Sequence, residues 1–258
     1  MKKPEPINSI NKVETLENTY KFLNNDTTYY EVQENEELTI IDIIDTDSKF
    51  IRELNVNSNA TLNYIKIGKS KNSSNIIYTN SIGENATLNI SFIDIESSVN
   101  SVVTKLKNTN SSLNINGLID LKNDSKVEYN VTTNHQNKSF SDIKFKNLLA
   151  GKSSTKLNMF SIVEQNASFS KAFQNSQTIL LSDDSFIAVT PHLEILIDEL
   201  EASHGATSGD LDKDSIYYLK SRGIKEEDAK VMLLNALRNE VYGTLKNEDL
   251  SEYIKGLI

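Results

Sequence analysis

Three histidines and no cysteine set the range of chemistry open to this sequence of 258 residues. A neutral imidazole can ligate a transition metal, and carboxylates can join it. His204 stands in Ser203-His204-Gly205, close after Glu201, and Glu194, Asp198 and Glu199 complete an acidic run beside it. Two readings of His204 stand side by side: a metal ligand, or a histidine hydrogen-bonded where a strand meets a helix. His135 and His192 lie at no spacing that would build a metal site with another histidine, and His192 reads as decoration on a strand. The acidic run reads as a solvated face, with Glu201 the first of its members to test as a ligand. Gly205 and Gly209 flank a junction that predicts positive backbone angles or a close approach.

The absences exclude more than the presences assert. Without cysteine there are no disulfides, thiolate metal sites or cysteine nucleophiles. No Gly-x-x-x-x-Gly-Lys-Ser/Thr loop occurs, so any ATP hydrolysis must come from a partner. No Gly-x-Ser-x-Gly elbow marks a serine nucleophile. A formal charge of −9, with lysines scattered among acids, argues against a nucleic-acid surface. No apolar run approaches the ~18 residues that a membrane-spanning helix needs. Met1-Lys2-Lys3-Pro4 leads into polar residues rather than an apolar signal core, so a cytoplasmic location is the expectation.

The elements that would position His204 follow from an internal repeat. Asn59-Ala60-Thr61-Leu62-Asn63-Tyr64 recurs as Asn85-Ala86-Thr87-Leu88-Asn89-Ile90 and as Asn110-Ser111-Ser112-Leu113-Asn114-Ile115. Weaker echoes follow at Ser154–Met159 and Asn166–Phe169. Each phrase is a polar turn leading into alternating apolar and polar residues, the period of a strand with one buried face. The interval of about 25 residues is that of a solenoid coil. Further strand-like runs at Ile76–Tyr78, Val102–Leu106 and Val127–Val131 imply more than one strand per coil. Gly is scarce, so Asn and Ser must make the turns, and the Asn-x-Ser/Thr triplets at Asn59, Asn85, Asn110 and Asn166 read as turns. The expectation is a mainly β protein: a parallel β-helix over 36–209, with a helical appendage over 210–258. Residues 1–35 are expected to be partly helical, around Val13 to Phe22, or disordered.

In the appendage, Asp212 can cap a helix whose apolar face includes Ile216, Tyr217 and Leu219 and which ends at Arg222-Gly223. A second helix from about Glu226 carries Ala229, Val231, Met232, Leu234, Ala236 and Leu237, and Glu248 to Ile258 predicts a short third. These helices either cap an open end of the solenoid or present a surface to a partner.

An ordered set of pieces carries a family resemblance. They are Leu180-Leu181-Ser182-Asp183-Asp184, Thr190-Pro191-His192-Leu193-Glu194-Ile195, Ala202-Ser203-His204-Gly205-Ala206-Thr207, Gly209-Asp210-Leu211-Asp212 and Tyr217 to Ile224. In order and spacing this stretch resembles the carboxy-terminal signature of the SufB/SufD scaffold proteins of iron–sulfur cluster assembly, and is closer to SufD. Fainter likeness extends upstream through His135, Phe145 to Gly151 and Gln174. The resemblance implies a right-handed parallel β-helix with terminal helices. It also implies a non-catalytic scaffold working with the ATPase SufC and a SufB-type subunit, or dimerising with itself. SufC would dock on the helices from Asp212 to Leu245, with Tyr217, Leu219, Arg222, Gly223, Met232 and Leu234 as docking residues. His204, with Glu201, would be a transient ligand of iron or a cluster at the subunit interface, and no cofactor would be tightly held.

Departures narrow the resemblance. SufD relatives commonly carry Cys where this sequence has Ala202, and SufB relatives have Glu in place of His204 and a sulfur-accepting Cys upstream. The resemblance implies a long amino-terminal helical region, which is expected to be missing or greatly reduced. Lacking Cys, this sequence sides with SufD and cannot itself accept persulfide sulfur. The competing class is a carbohydrate-binding or carbohydrate-active β-helix, which needs clustered carboxylates on one face. Asp94, Glu96 and Asp120 form no recurring acidic ladder.

Overall fold

The computed structural model describes residues 20–23, 29–71, 73–245 and 248–256. Its strands are β1 (Tyr20–Leu23), β2 (Tyr29–Val32), β3 (Glu37–Ile44), β4 (Lys49–Val56), β5 (Thr61–Gly68), β6 (Ser74–Ile82), β7 (Thr87–Asp94) and β8 (Ser98–Leu106). They continue as β9 (Ser111–Leu121), β10 (Lys126–His135), β11 (Ser139–Leu149), β12 (Ser154–Val163), β13 (Lys171–Leu180), β14 (Phe186–Ile195) and β15 (Glu201–Gly209). Three helices follow: α1 (Lys213–Ser221), α2 (Glu226–Tyr242) and α3 (Glu248–Lys255). The helix expected around Val13 to Phe22 lies mostly outside the described residues, and its described end, from Tyr20, is strand β1.

Odd strands form one parallel sheet of eight and even strands a parallel sheet of seven. The chain therefore alternates between two facing sheets, and each pair of strands is one coil of a parallel β-solenoid. The repeated phrase stacks in register: Leu62 beside Leu88 beside Leu113, and Asn63 beside Asn89 beside Asn114. Equivalent positions of successive coils meet the same neighbours, which is why the phrase recurs. Asn89 Nδ2 donates to Asn63 Oδ1 at 2.9 Å, and Asn114 Nδ2 to Asn89 Oδ1 at 2.9 Å, a ladder along the outer face. The runs at Ile76, Val102 and Val127 are strands of the opposite sheet. The echo at Ser154–Met159 also lies there, on β12, so it continues the other face rather than the phrase itself.

Turn chemistry follows the same arithmetic. Asn35, Asn59, Asn85 and Asn110 hold φ of 63°, 57°, 52° and 57°, the left-handed region that Asn enters at little cost. Their backbone N–H groups donate to the next coil, as Asn59 does to the carbonyl of Glu84 at 2.9 Å. Phe169 occupies the equivalent place before β13 at φ 63°, and its N–H donates to Glu199 at 2.6 Å.

Inward positions build the core: Leu62, Leu88, Leu113, Ile90 and Ile115 are fully buried between the sheets. Down its middle run Tyr64, Tyr78, Phe92, Tyr129 and Phe145, with successive ring centroids 5.0–5.8 Å apart. Gly117 makes room for the last of these, because a Cβ there would overlap the Phe145 ring.

A second apolar cluster lies outside the solenoid. Near the ends of the odd strands alternation fails, and Ile41, Ile65, Ile67, Ile93, Leu118 and Leu148 point outward. Leu234, Leu237, Val241, Tyr242, Leu250 and Ile254 of the helices cover them. Burying each such side chain is worth about 1.5–3 kcal/mol. Arg238 Nε bonds Asp120 at 2.7 Å and Lys146 Nζ bonds Glu240 at 2.5 Å, tying α2 to β9 and β11. The helices thus lie on the flank of the eight-stranded sheet and do not cap the coil that ends with β15. α1 starts as expected, with the Asp212 carboxylate accepting from Asp214 and Ser215 N–H. It stops in a Schellman turn: Gly223 at φ +87°, Gly223 N–H to Lys220, and Ile224 N–H to Leu219. No described helix is long and apolar enough to cross a membrane.

Candidate functional site: the open last coil

β15 pairs only with β13, and β14 only with β12, so among the described residues nothing stacks on the last coil. In closed coils the inward positions are sealed; Ala172, Gln174 and Ser176 of β13 are all at most 2% exposed. Their register partners on β15 are Ala202, His204 and Ala206. His204 therefore occupies an inward position whose covering coil is absent, and it is exposed. It lies mid-strand rather than at a strand–helix junction, and no described residue hydrogen-bonds its ring. The reading of a hydrogen-bonded junction histidine is not realised.

Beneath it sits a feature that the sequence did not reveal. Gln174 Nε2 donates to Ser161 Oγ at 2.7 Å and to the His192 carbonyl at 3.2 Å, crossing between the sheets. Its Oε1 is buried without a partner, a cost of about 1–3 kcal/mol for an ordinary amide oxygen. Around it the interior is polar: Ser161 continues the row of Asn80, Thr104 and Thr133, while Ser176 follows Phe145, and Asn147 and Thr178 follow Ile119. Sequence reading singled out Gln174 only as part of a family likeness, because an inward Gln has the same alternation as an outward one.

Glu201 is not brought to His204. It sits at an outward position and pairs with Lys171 Nζ at 2.9 Å across the register. Glu194, Asp198 and Glu199 are exposed. Among the described residues no group of three or more His, Asp or Glu side chains forms a metal cluster. Gly205 and Gly209 have no positive φ and face open space, so the tight junction expected of them does not exist. His192 is an outward residue whose ring stacks on Phe160 at 4.5 Å and 4°.

His135 is structural in its contacts, with Nδ1 at 2.8 Å from Ser139 Oγ and Nε2 at 2.8 Å from Ser141 Oγ. Burial holds its imidazole down at about 4, from an ordinary 6.5. The unfolded chain takes up a proton near pH 6.5 that the folded chain refuses until about pH 4. This stabilisation is complete above pH 6.5 and is lost as pH falls toward 4, by roughly 3 kcal/mol over the window. Urea midpoints measured across that window should fall accordingly, and His135→Gln should flatten that part of the profile. An unchanged profile in the variant would remove His135 as the cause.

On the helices, Tyr217, Tyr218, Val231 and Met232 are 50–76% exposed. Arg222 lies 5.3 Å above the Tyr218 ring, and Gly223 is exposed beside it. Leu219 is half-buried, and Leu234 turns inward to pack on the flank cluster. Of the residues expected to dock a partner, Tyr217, Met232, Arg222 and Gly223 are thus exposed, Leu219 is half-buried and Leu234 packs inward. Ile216 rather than Tyr217 forms the buried side of α1.

Other carboxylates are engaged. Asp94 is fully buried against Lys66, Asp120 is held by Arg238, and Glu96 accepts from Ser125 Oγ at 2.9 Å. They offer no free acidic ladder for a carbohydrate.

The family model of the SufBD core domain, described as SUF system FeS cluster assembly, matches residues 15–237. The chain belongs to the SufBD family. The match takes in the whole described solenoid, α1 and most of α2. Among curated relatives, the iron–sulfur cluster assembly protein SufD of Escherichia coli (strain K12) is 32% identical over 154 residues, 58% of this chain and 36% of the relative. A SufBD family protein of Synechocystis is 36% identical over 80 residues, 31% of this chain and 18% of the relative. One from Methanothermobacter thermautotrophicus (strain Delta H) is 45% identical over 56 residues, 22% of this chain and 14% of the relative. The chain thus aligns with 14–36% of the length of these proteins. The SufBD solenoid leaves His204 and Gln174 at its open end and an apolar helical surface on its flank.

Proposed function

We propose that this SufBD chain is a SufD-like, non-catalytic scaffold subunit in iron–sulfur cluster assembly. The observation that carries the reading is the open last coil, where an inward histidine lies exposed above a buried amide oxygen without a partner. A subunit of the same fold stacking on that coil would enclose His204 in a protein–protein interface. A neutral imidazole there can ligate iron of a nascent cluster, which is substrate to the complex. Sulfur must be brought by the facing subunit, a SufB-type chain with cysteine, because this sequence has none. Exposed Tyr217, Met232 and Arg222 are of the types that dominate binding at protein interfaces, and they suit a SufC-type ATPase supplying mechanical work.

The test is co-expression with SufC-type and SufB-type partners. Tyr217→Asp with Met232→Asp should lower ATPase retention at least about thirtyfold, the loss of a single hot spot of 2 kcal/mol, while the second subunit stays bound. His204→Ala should keep both partners and lower the cluster formed per complex. Full ATPase retention by the double variant would overturn the docking surface, and an undiminished cluster yield would overturn the role of His204.

A further inference from the structure

A cleft away from the open coil is furnished for a ligand. It lies between the α2–α3 helices and the turns beside β7 and β9, with a volume of about 610 Å³, within the ~300–1,000 Å³ of small-molecule sites. Lys122, Arg238 and Lys255 line it, together with three Asn side chains, and only Glu96 and Asp120 oppose them. Among the lining side chains the cations outnumber the acids by one, although Glu252 of α3 pairs with Lys255.

The acids are already committed. Asp120 accepts from Arg238 Nε at 2.7 Å, and Glu96 accepts from the Ser125 hydroxyl. The donors keep capacity: Arg238 spends a further N–H on Asn235 at 2.9 Å and keeps others, Lys255 Nζ gives one N–H to Glu252 at 3.0 Å and keeps others, and Lys122 is exposed without an ion pair. Tyr242 is 4% exposed, lines the cleft, and its hydroxyl meets no hydrogen-bond partner among the described residues. Burial first, then the charge of Asp120, pushes that phenol up to about 12, so it remains a donor at neutral pH. Lys255 lies 5.5 Å from the ring of the same tyrosine, which seats its ammonium on the cleft wall.

We infer that this cleft binds a small multivalent oxyanion, a phosphate or carboxylate compound larger than inorganic phosphate. Its oxygens would take the hydroxyl of Tyr242, the remaining N–H groups of Arg238 and the ammonium groups of Lys122 and Lys255. Such a ligand bridges the helices to the solenoid, because Lys122 follows β9 whereas the other three donors belong to α2 and α3.

The experiment titrates the full chain with pyrophosphate, citrate and inorganic phosphate at constant ionic strength, followed by calorimetry and by melting temperature. Saturable binding of pyrophosphate or citrate, weakened at least about fivefold by Lys122→Ala and by Lys255→Ala and unchanged by Lys49→Ala, supports the site. Preference for pyrophosphate assigns phosphate chemistry; preference for citrate assigns carboxylates. Non-saturable effects, effects matched by chloride, or binding that survives both cleft variants would overturn it.

Discussion

Asp94→Ala is expected to cost about 3–5 kcal/mol, the usual penalty for orphaning a buried ionic partner. Lys66 and Asp94 are both fully buried inside the solenoid and bonded to each other. Tyr129 Oη donates to Asp94 Oδ2 at 2.6 Å, Ser98 Oγ to Asp94 Oδ1 at 2.9 Å, and Lys66 Nζ to Asn100 Oδ1 at 3.1 Å. Gly68 admits the pair, since a Cβ there would lie 2.9 Å from Lys66 Nζ. Removing the carboxylate strands an ammonium where water cannot reach it, against a total stability of about 5–15 kcal/mol for a domain. Removing the polar members together, as Lys66→Met with Asp94→Ala and Tyr129→Phe, should cost less than Asp94→Ala alone. Urea denaturation of the single and triple variants decides the matter. A loss under about 1 kcal/mol in the single variant, or a triple variant that is worse, would show that the pair is not isolated from solvent.

Deleting residues 210–258 is expected to expose an apolar flank of the solenoid and drive association. The truncation would uncover Ile41, Ile65, Ile67, Ile93, Leu118 and Leu148 together on the flank of the eight-stranded sheet. Contiguous apolar patches of that kind drive association. The truncated chain should therefore aggregate or form higher oligomers in size-exclusion chromatography, and melt lower than the full chain. A monomeric truncation with an unchanged melting temperature would mean that the helices are only loosely attached. Because of this covering role, loss of an ATPase partner on truncation would not locate its docking surface, whereas variants at exposed Tyr217 and Met232 would.

The regular part of the molecule was legible because a solenoid repeats its environment. Leu62, Leu88 and Leu113 occupy one row, and Asn59, Asn85 and Asn110 one turn position, so identical demands selected similar residues. The cap at Asp212 and the stop at Gly223 were legible for a similar reason, as helix ends impose local rules on a few adjacent residues. The carboxy-terminal signature pointed to the family before any fold was in view, and the absence of cysteine set its chemical limits.

What escaped the sequence depends on contacts between distant positions. Lys66 and Asp94 look like ordinary solvated charges until the coils stack and bury both. Ile65 and Ile67 read as strand residues, and an amphipathic helix declares an apolar face without naming the surface that covers it. Glu201 stands near His204 in sequence, but strand alternation sends the two to opposite sides of β15.

The sequence by itself determined the repeat, the family and the lack of any thiolate ligand, since each is carried by residue identity and spacing. Only the tertiary structure decided that the helices lie on the flank and the last coil stands open. Exposure of His204 depends on what stacks above it, and no local pattern records that.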